Sequence, residues 1–272
     1  MTRRSAPFSS IRVAALCLKA CGLTRFLMPA RVTHLWMVLG TEATMTANQN
    51  AERFLIDVKQ LTAELQRSLP KRIDAAALGL PSKIPFKAIS LREGLIHRAS
   101  DLSGLACELY ERRRIVPAII MVRAVMETVA MLYFLYWRID QVLTSQELGD
   151  IDQFLMRGIF GWRDDTMPMQ PLNVLTAIDR VDKQFEGYRG LYDELSEFAH
   201  PNWSGTSGAY ANLIQNKYAV ELGTECSTLD LRTGLPAFRA SLECFRYYYN
   251  LLSDIMPSFV EFCHAEAVKN PR

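Results

Sequence analysis

Two charged side chains stand where a helix has no room for charge. Arg123 and Glu127 lie inside the run 117–137, which is apolar on every side apart from them. At about 100° per residue they differ by about 40° around a helix, and Ile119, Ala130 and Phe134 share their face. A guanidinium and a carboxylate at this i,i+4 spacing can pair, here with the cation first. Each needs such a partner, because an unpaired charge is expensive to remove from water. Two readings follow: a buried ion pair that fixes helix register, and a polar pocket inside a bundle. Arg98, on the inward stripe of the preceding helix, offers a second cation for Glu127.

A second concentration of polar groups runs from Tyr192 through Glu194, Ser196 and Glu197 to His200 and Trp203. His200 precedes Pro201, which disfavours helical geometry at the histidine and so ends the helix there. An imidazole at that end can reach a neighbouring helix as an acid–base group or cap the last carbonyls, and the helix terminus favours its protonated form. The candidate catalytic residues are therefore Arg123, Glu127 and His200. The candidate binding residues are Arg98, Tyr192 and Trp203.

Other chemistries fit less well. Glu197-x-x-His200 and Glu261-x-x-His264 have the spacing of di-iron bundle ligands, with Glu127 as a further carboxylate. Projected on their helices, however, Glu261 lies about 180° from Leu252 and Glu197 about 120° from Leu191, so both point away from the core. No metal and no cofactor is expected, and a di-metal carboxylate bundle stays a minor alternative. Ser204–Gly208 lacks the lysine of a phosphate-binding loop, and Ser196 with His200 lacks a nucleophile-elbow turn. Arg112–Arg114 reads as a solvated helix end, and Tyr247–Tyr249 as packing. Cys107, Cys226, Cys244 and Cys263 are scattered without zinc spacing, which suits a reducing cytoplasm.

The elements that must hold these residues are helical. Phe54, Leu55, Val58, Leu61, Leu65 and Leu69 recur at helical spacing before Pro70. Ser90 with Glu93 reads as a capping box opening the next helix, whose stripe is Leu91, Leu95, Arg98, Leu102, Leu105 and Leu109. Pro117 suits the first turn of the central helix. Shorter helices are expected at 145–158, 171–186 and 188–199. A long loop covers 201–235, with a short strand near 217–222. A final helix spans 236–267, kinked or broken at Pro257. The fold class is thus all-α: a single helical domain, 45–272, around the 117–137 helix. That helix is long enough to span a membrane, but Arg123 and Glu127 each cost about 2.5–3.5 kcal/mol near a bilayer centre, so it is read as the core helix.

The chain has 272 residues, with 31 Lys+Arg against 29 Asp+Glu and a net charge of +2. Residues 1–41 hold six basic side chains and no acidic one. The segment has features of a transit peptide or an interrupted signal sequence. The change of chemistry at Glu42–Met45 favours an upstream extension, with residues 1–44 outside the compact fold. The remainder carries a net −4, so no broad footprint for nucleic acid is present.

The central-helix Arg-x-x-x-Glu (Arg123, Glu127) combined with Tyr-x-x-Leu-Ser-x-x-x-His-Pro (Tyr192, Leu195, Ser196, His200, Pro201) resembles a family of uncharacterised bacterial all-helical proteins. The resemblance covers about 88–201 and implies no particular activity. More distantly the arrangement resembles HEPN-type bundles, many of which are RNA-cutting toxins or defence proteins that use an arginine four to six residues before a histidine. Here Arg189 has ten residues between it and His200, so Arg123 or Arg98 would have to take its place in space. The expectation is a cytoplasmic interaction or regulatory module built around an Arg/Glu/His site, with a protein partner or a second copy of the chain. The alternative is a HEPN-like, RNA-directed nuclease.

Overall fold

The structure is a computed structural model, and it describes residues 47–74, 82–162, 169–215, 217–224 and 229–270. The leader expected at 1–44 lies outside the described residues. Eight helices and one hairpin occur among them: α1 (Ala47–Arg67), α2 (Ile84–Glu111), α3 (Ile115–Ser145), α4 (Ile151–Phe160), α5 (Val174–Asp182), α6 (Tyr188–Glu197), α7 (Ser207–Tyr210), β1 (Ala211–Ile214), β2 (Ala219–Leu222) and α8 (Leu235–Lys269).

The expected all-α bundle is present, and α3 is its centre. It packs mainly on α2, α8 and α5, with α6 and α4 completing its surroundings. Val122, Val125, Met126, Val129, Ala130, Leu132 and Leu135 are all fully buried. A helix apolar all round must be covered all round, and α3 meets that condition inside protein. It is the one described helix long and apolar enough to cross a membrane, and most of that stretch is buried in the bundle.

Several boundaries differ from the sequence reading. Helix α2 begins at Ile84, with Pro85 in its first turn, six residues before Ser90. The Ser90–Glu93 capping box is therefore incorrect: Pro85 is the start signal, since a residue without an N–H fits where no acceptor exists. Helix α3 starts two residues before Pro117, and α4 begins at Ile151 rather than Ser145. Asn173 caps α5, its side chain accepting from the Leu175 N–H at 3.0 Å. Helix α8 runs through Pro257 without a break. Its N-terminal boundary is set by Gly234, at φ +83°, where a Cβ would sit 2.7 Å from the Tyr110 hydroxyl. That hydroxyl donates to the Thr233 carbonyl at 2.7 Å.

The segment 201–235 is more ordered than a long loop. It holds α7 and an antiparallel hairpin in which Ala211 faces Leu222 and Ile214 faces Ala219. The expected strand at 217–222 is thus present as β2, with β1 as its unforeseen partner. Of the inward positions expected on α2 and α5, Leu105 and Leu175 are exposed instead.

Candidate functional site

Helices α3 and α6 bring four of the residues from the two sequence motifs into one network. The Arg123 guanidinium uses all three nitrogens: Nε donates to Ser196 Oγ at 2.8 Å, Nη2 donates to the Tyr192 hydroxyl, and Nη1 lies 3.0 Å from Glu127 Oε1. The Tyr192 hydroxyl in turn donates to Glu127 Oε1 at 2.9 Å, and Ser196 Oγ donates to the Tyr192 carbonyl at 2.7 Å. The guanidinium carbon also stands 4.5 Å from the centre of the Tyr192 ring, a cation–π contact. Helical periodicity explains the match: Arg123 and Glu127 are one turn apart on α3, and Tyr192 and Ser196 one turn apart on α6.

This pair is half-buried, with 29% of the Arg123 side chain and 22% of Glu127 exposed. Both readings of the pair assumed deeper burial, and α6 leaves a path to solvent. Burial first, then the Glu127 carboxylate accepting its proton, push the Tyr192 hydroxyl up to about 12. Tyr188, at the start of α6, ties the same two helices by donating to the Met126 carbonyl at 2.9 Å.

Among the described residues none of the remaining candidates hydrogen-bonds to this network. Arg98 is exposed and its Nε donates to Thr128 Oγ1 at 3.2 Å, so it makes no pair with Glu127. It lines an open groove of about 860 Å³ between α1 and α2 with Gln66, Leu69, His97, Asp101 and Glu108. His200 follows α6 one turn beyond Ser196 and is exposed. Trp203 is 75% exposed, its ring set against Gly208, where a Cβ would come within 3.0 Å of three ring atoms. Glu197 and Glu261 are exposed, as their projection required. Among the described residues no three His, Cys, Asp or Glu side chains are grouped to share a metal ion.

The fully buried ion pair is elsewhere and was missed. Arg92 on α2 is 0% exposed. Its Nη1 pairs with Glu93, while Nη2 donates to the Tyr249 carbonyl at 2.9 Å and to Ser253 Oγ. The Tyr249 hydroxyl donates to Glu93 Oε2 at 2.5 Å, and the guanidinium carbon lies 3.4 Å from the Tyr249 ring centre. Arg92 and Glu93 are adjacent in sequence, so the i,i+4 test that singled out Arg123 and Glu127 does not find them. The signal that would have found Arg92 is the buried series Ala88, Ile89, Ile96 and Ala99, into which it falls at helical spacing.

No family model matches the chain, and no curated protein or solved structure matches it either.

Proposed function

We propose that this protein is an interaction module, in which the Arg123–Glu127–Tyr192–Ser196 network braces α6 on α3 and the segment after α6 presents the contact surface. One observation carries this reading: the hairpin turns an apolar face to solvent. Its register puts Ala211, Leu213, Val220 and Leu222 on one side, and Leu213, Val220 and Leu222 are 63%, 53% and 77% exposed. Three large apolar side chains grouped on one exposed face mark a place of association. The polar network supports the same view, since its donors and acceptors are spent on each other and leave Arg123 no free nitrogen. The test places a photo-crosslinking residue at position 220 in cells, with position 261 on α8 as an exposed control. A discrete adduct from position 220 alone is expected. No adduct of protein, nucleic acid or lipid from position 220, or the same adducts from both positions, overturns the reading.

A second reading is a HEPN-like, RNA-directed activity, favoured by the solvent-exposed imidazole of His200 one turn past Ser196. It requires that the wild-type protein cleave RNA and that His200→Ala abolish cleavage with the unfolding midpoint unchanged. Absence of cleavage by the wild type removes it.

A further inference from the structure

The turn between α2 and α3 consists of three consecutive arginines, Arg112, Arg113 and Arg114, all exposed. Arg113 sits in the left-handed region at φ +54°. None of the three forms an ion pair among the described residues. This turn borders the hairpin: Arg113 and Arg114 line a small crevice with Ala209, Tyr210 and Thr224, which flank the two strands. Trp203 rests on Gly208 of α7, directly before β1. A cationic turn, an exposed indole and an apolar hairpin thus adjoin one another. At the hairpin tip Tyr218 is fully exposed, at φ +48°, beside exposed Lys217.

The chemistry of this face narrows its partner. Its apolar side chains project from a hairpin and do not line a groove, so they suit a deformable apolar phase better than a peptide ligand. The exposed arginines gain from negative charge beside that phase. Nucleic acid would satisfy the arginines but leave Leu213, Val220 and Leu222 in water. An anionic bilayer surface supplies both parts, since phosphates lie at the level where arginine, tryptophan and tyrosine are favoured and hydrocarbon lies beneath. Building on the interaction-module reading, we propose that the protein docks on anionic membranes through this face. Leu213, Val220 and Leu222 enter the headgroup boundary, Trp203 and Tyr218 flank them, and Arg112–Arg114 with Lys217 pair with lipid phosphates.

Flotation of the full chain with vesicles tests this. One set is phosphatidylcholine alone and the other contains phosphatidylglycerol as well. The wild type should float with the anionic vesicles and stay behind with the neutral ones. Arg113→Glu/Arg114→Glu should lower binding about tenfold or more, as two charges close to the surface are reversed. Leu213→Ser/Leu222→Ser should lower it by a similar factor, and added salt should weaken what the arginines contribute. Far-UV circular dichroism and the unfolding midpoint confirm that each variant is folded; Leu222→Ser alone replaces the leucine double variant, and Arg114→Glu alone the arginine one, where the double is not. Failure of the wild type to float overturns the proposal. So does full retention by the leucine variant, which would mean adsorption by charge alone. If vesicles fail but position 220 crosslinks to a protein or an RNA, the lipid assignment falls and the interaction-module reading stands. If neither vesicles nor crosslinking reports on this face, both fall.

Discussion

Arg92 and Arg123 show how one residue type does different work at different depths. Arg92 is sealed, and its pair with Glu93 has no water to replace a lost partner. Arg92→Met strands the Glu93 carboxylate and should cost about 3–5 kcal/mol, read as a fall in the urea midpoint. The double variant Arg92→Met/Glu93→Leu should recover most of that loss, because two well-packed apolar side chains need no counter-charge. Equal losses in single and double variants would show that packing, not charge, dominates the site. At the half-open Arg123 network the informative group is Tyr192. Its hydroxyl ionises near 12 in the folded protein but near the ordinary value of about 10 when unfolded. The folded state therefore holds its proton across that interval. The resulting stabilisation is complete below about pH 10 and is lost as pH rises through about 12. Tyr192→Phe should flatten this part of the stability–pH curve, while Tyr110, Tyr188 and Tyr248, whose hydroxyls burial also pushes up, keep the remainder. An unchanged curve in Tyr192→Phe would refute the assignment.

At the scale of elements, several helix boundaries have a local cause. Pro85 opens α2 and Asn173 caps α5. Gln146 ends α3 in the left-handed region at φ +57°. Gly234 is the most demanding position, combining φ +83° with the Tyr110 hydroxyl where a side chain would go. Gly234→Ala should cost about 1 kcal/mol for the backbone conformation alone and more for displacing Tyr110 from the Thr233 carbonyl. Thermal unfolding should therefore begin earlier in Gly234→Ala than in Gly190→Ala, a change in a helical turn with open space around it. The reverse order would show that the connection from β2 to α8 adapts freely. Much of this layer was legible in the sequence: α1, α3, α6 and α8 follow from apolar spacing. The hairpin was legible only as its second strand. β1 is the four residues Ala-Asn-Leu-Ile, too short to carry a period of its own, and its identity depends on what pairs with it.

For the molecule as a whole, burial is graded from α3 outward. The central helix touches most other helices, whereas the hairpin is held chiefly by its own pairing and by α7. Amide exchange should follow this gradient: the 122–135 stretch of α3 should exchange last, through global unfolding, and the strands β1 and β2 first. Protection of the hairpin as strong as that of α3 would require a covering partner in solution and would itself point to association.

The sequence by itself determined the all-helical class, the central place of α3 and the pairing of Arg123 with Glu127, because helical periodicity converts spacing directly into a shared face. It also put Tyr192 and Ser196 one turn apart on one helix. Only the tertiary structure decided which helix those faces meet and how deeply each charge lies. Depth depends on neighbours distant along the chain. Arg92, unremarkable in sequence, became the sealed cation because Tyr249 and Ser253 close over it from 157 and 161 residues away. Arg98, set on an apolar stripe, stayed in water at the open groove between α1 and α2.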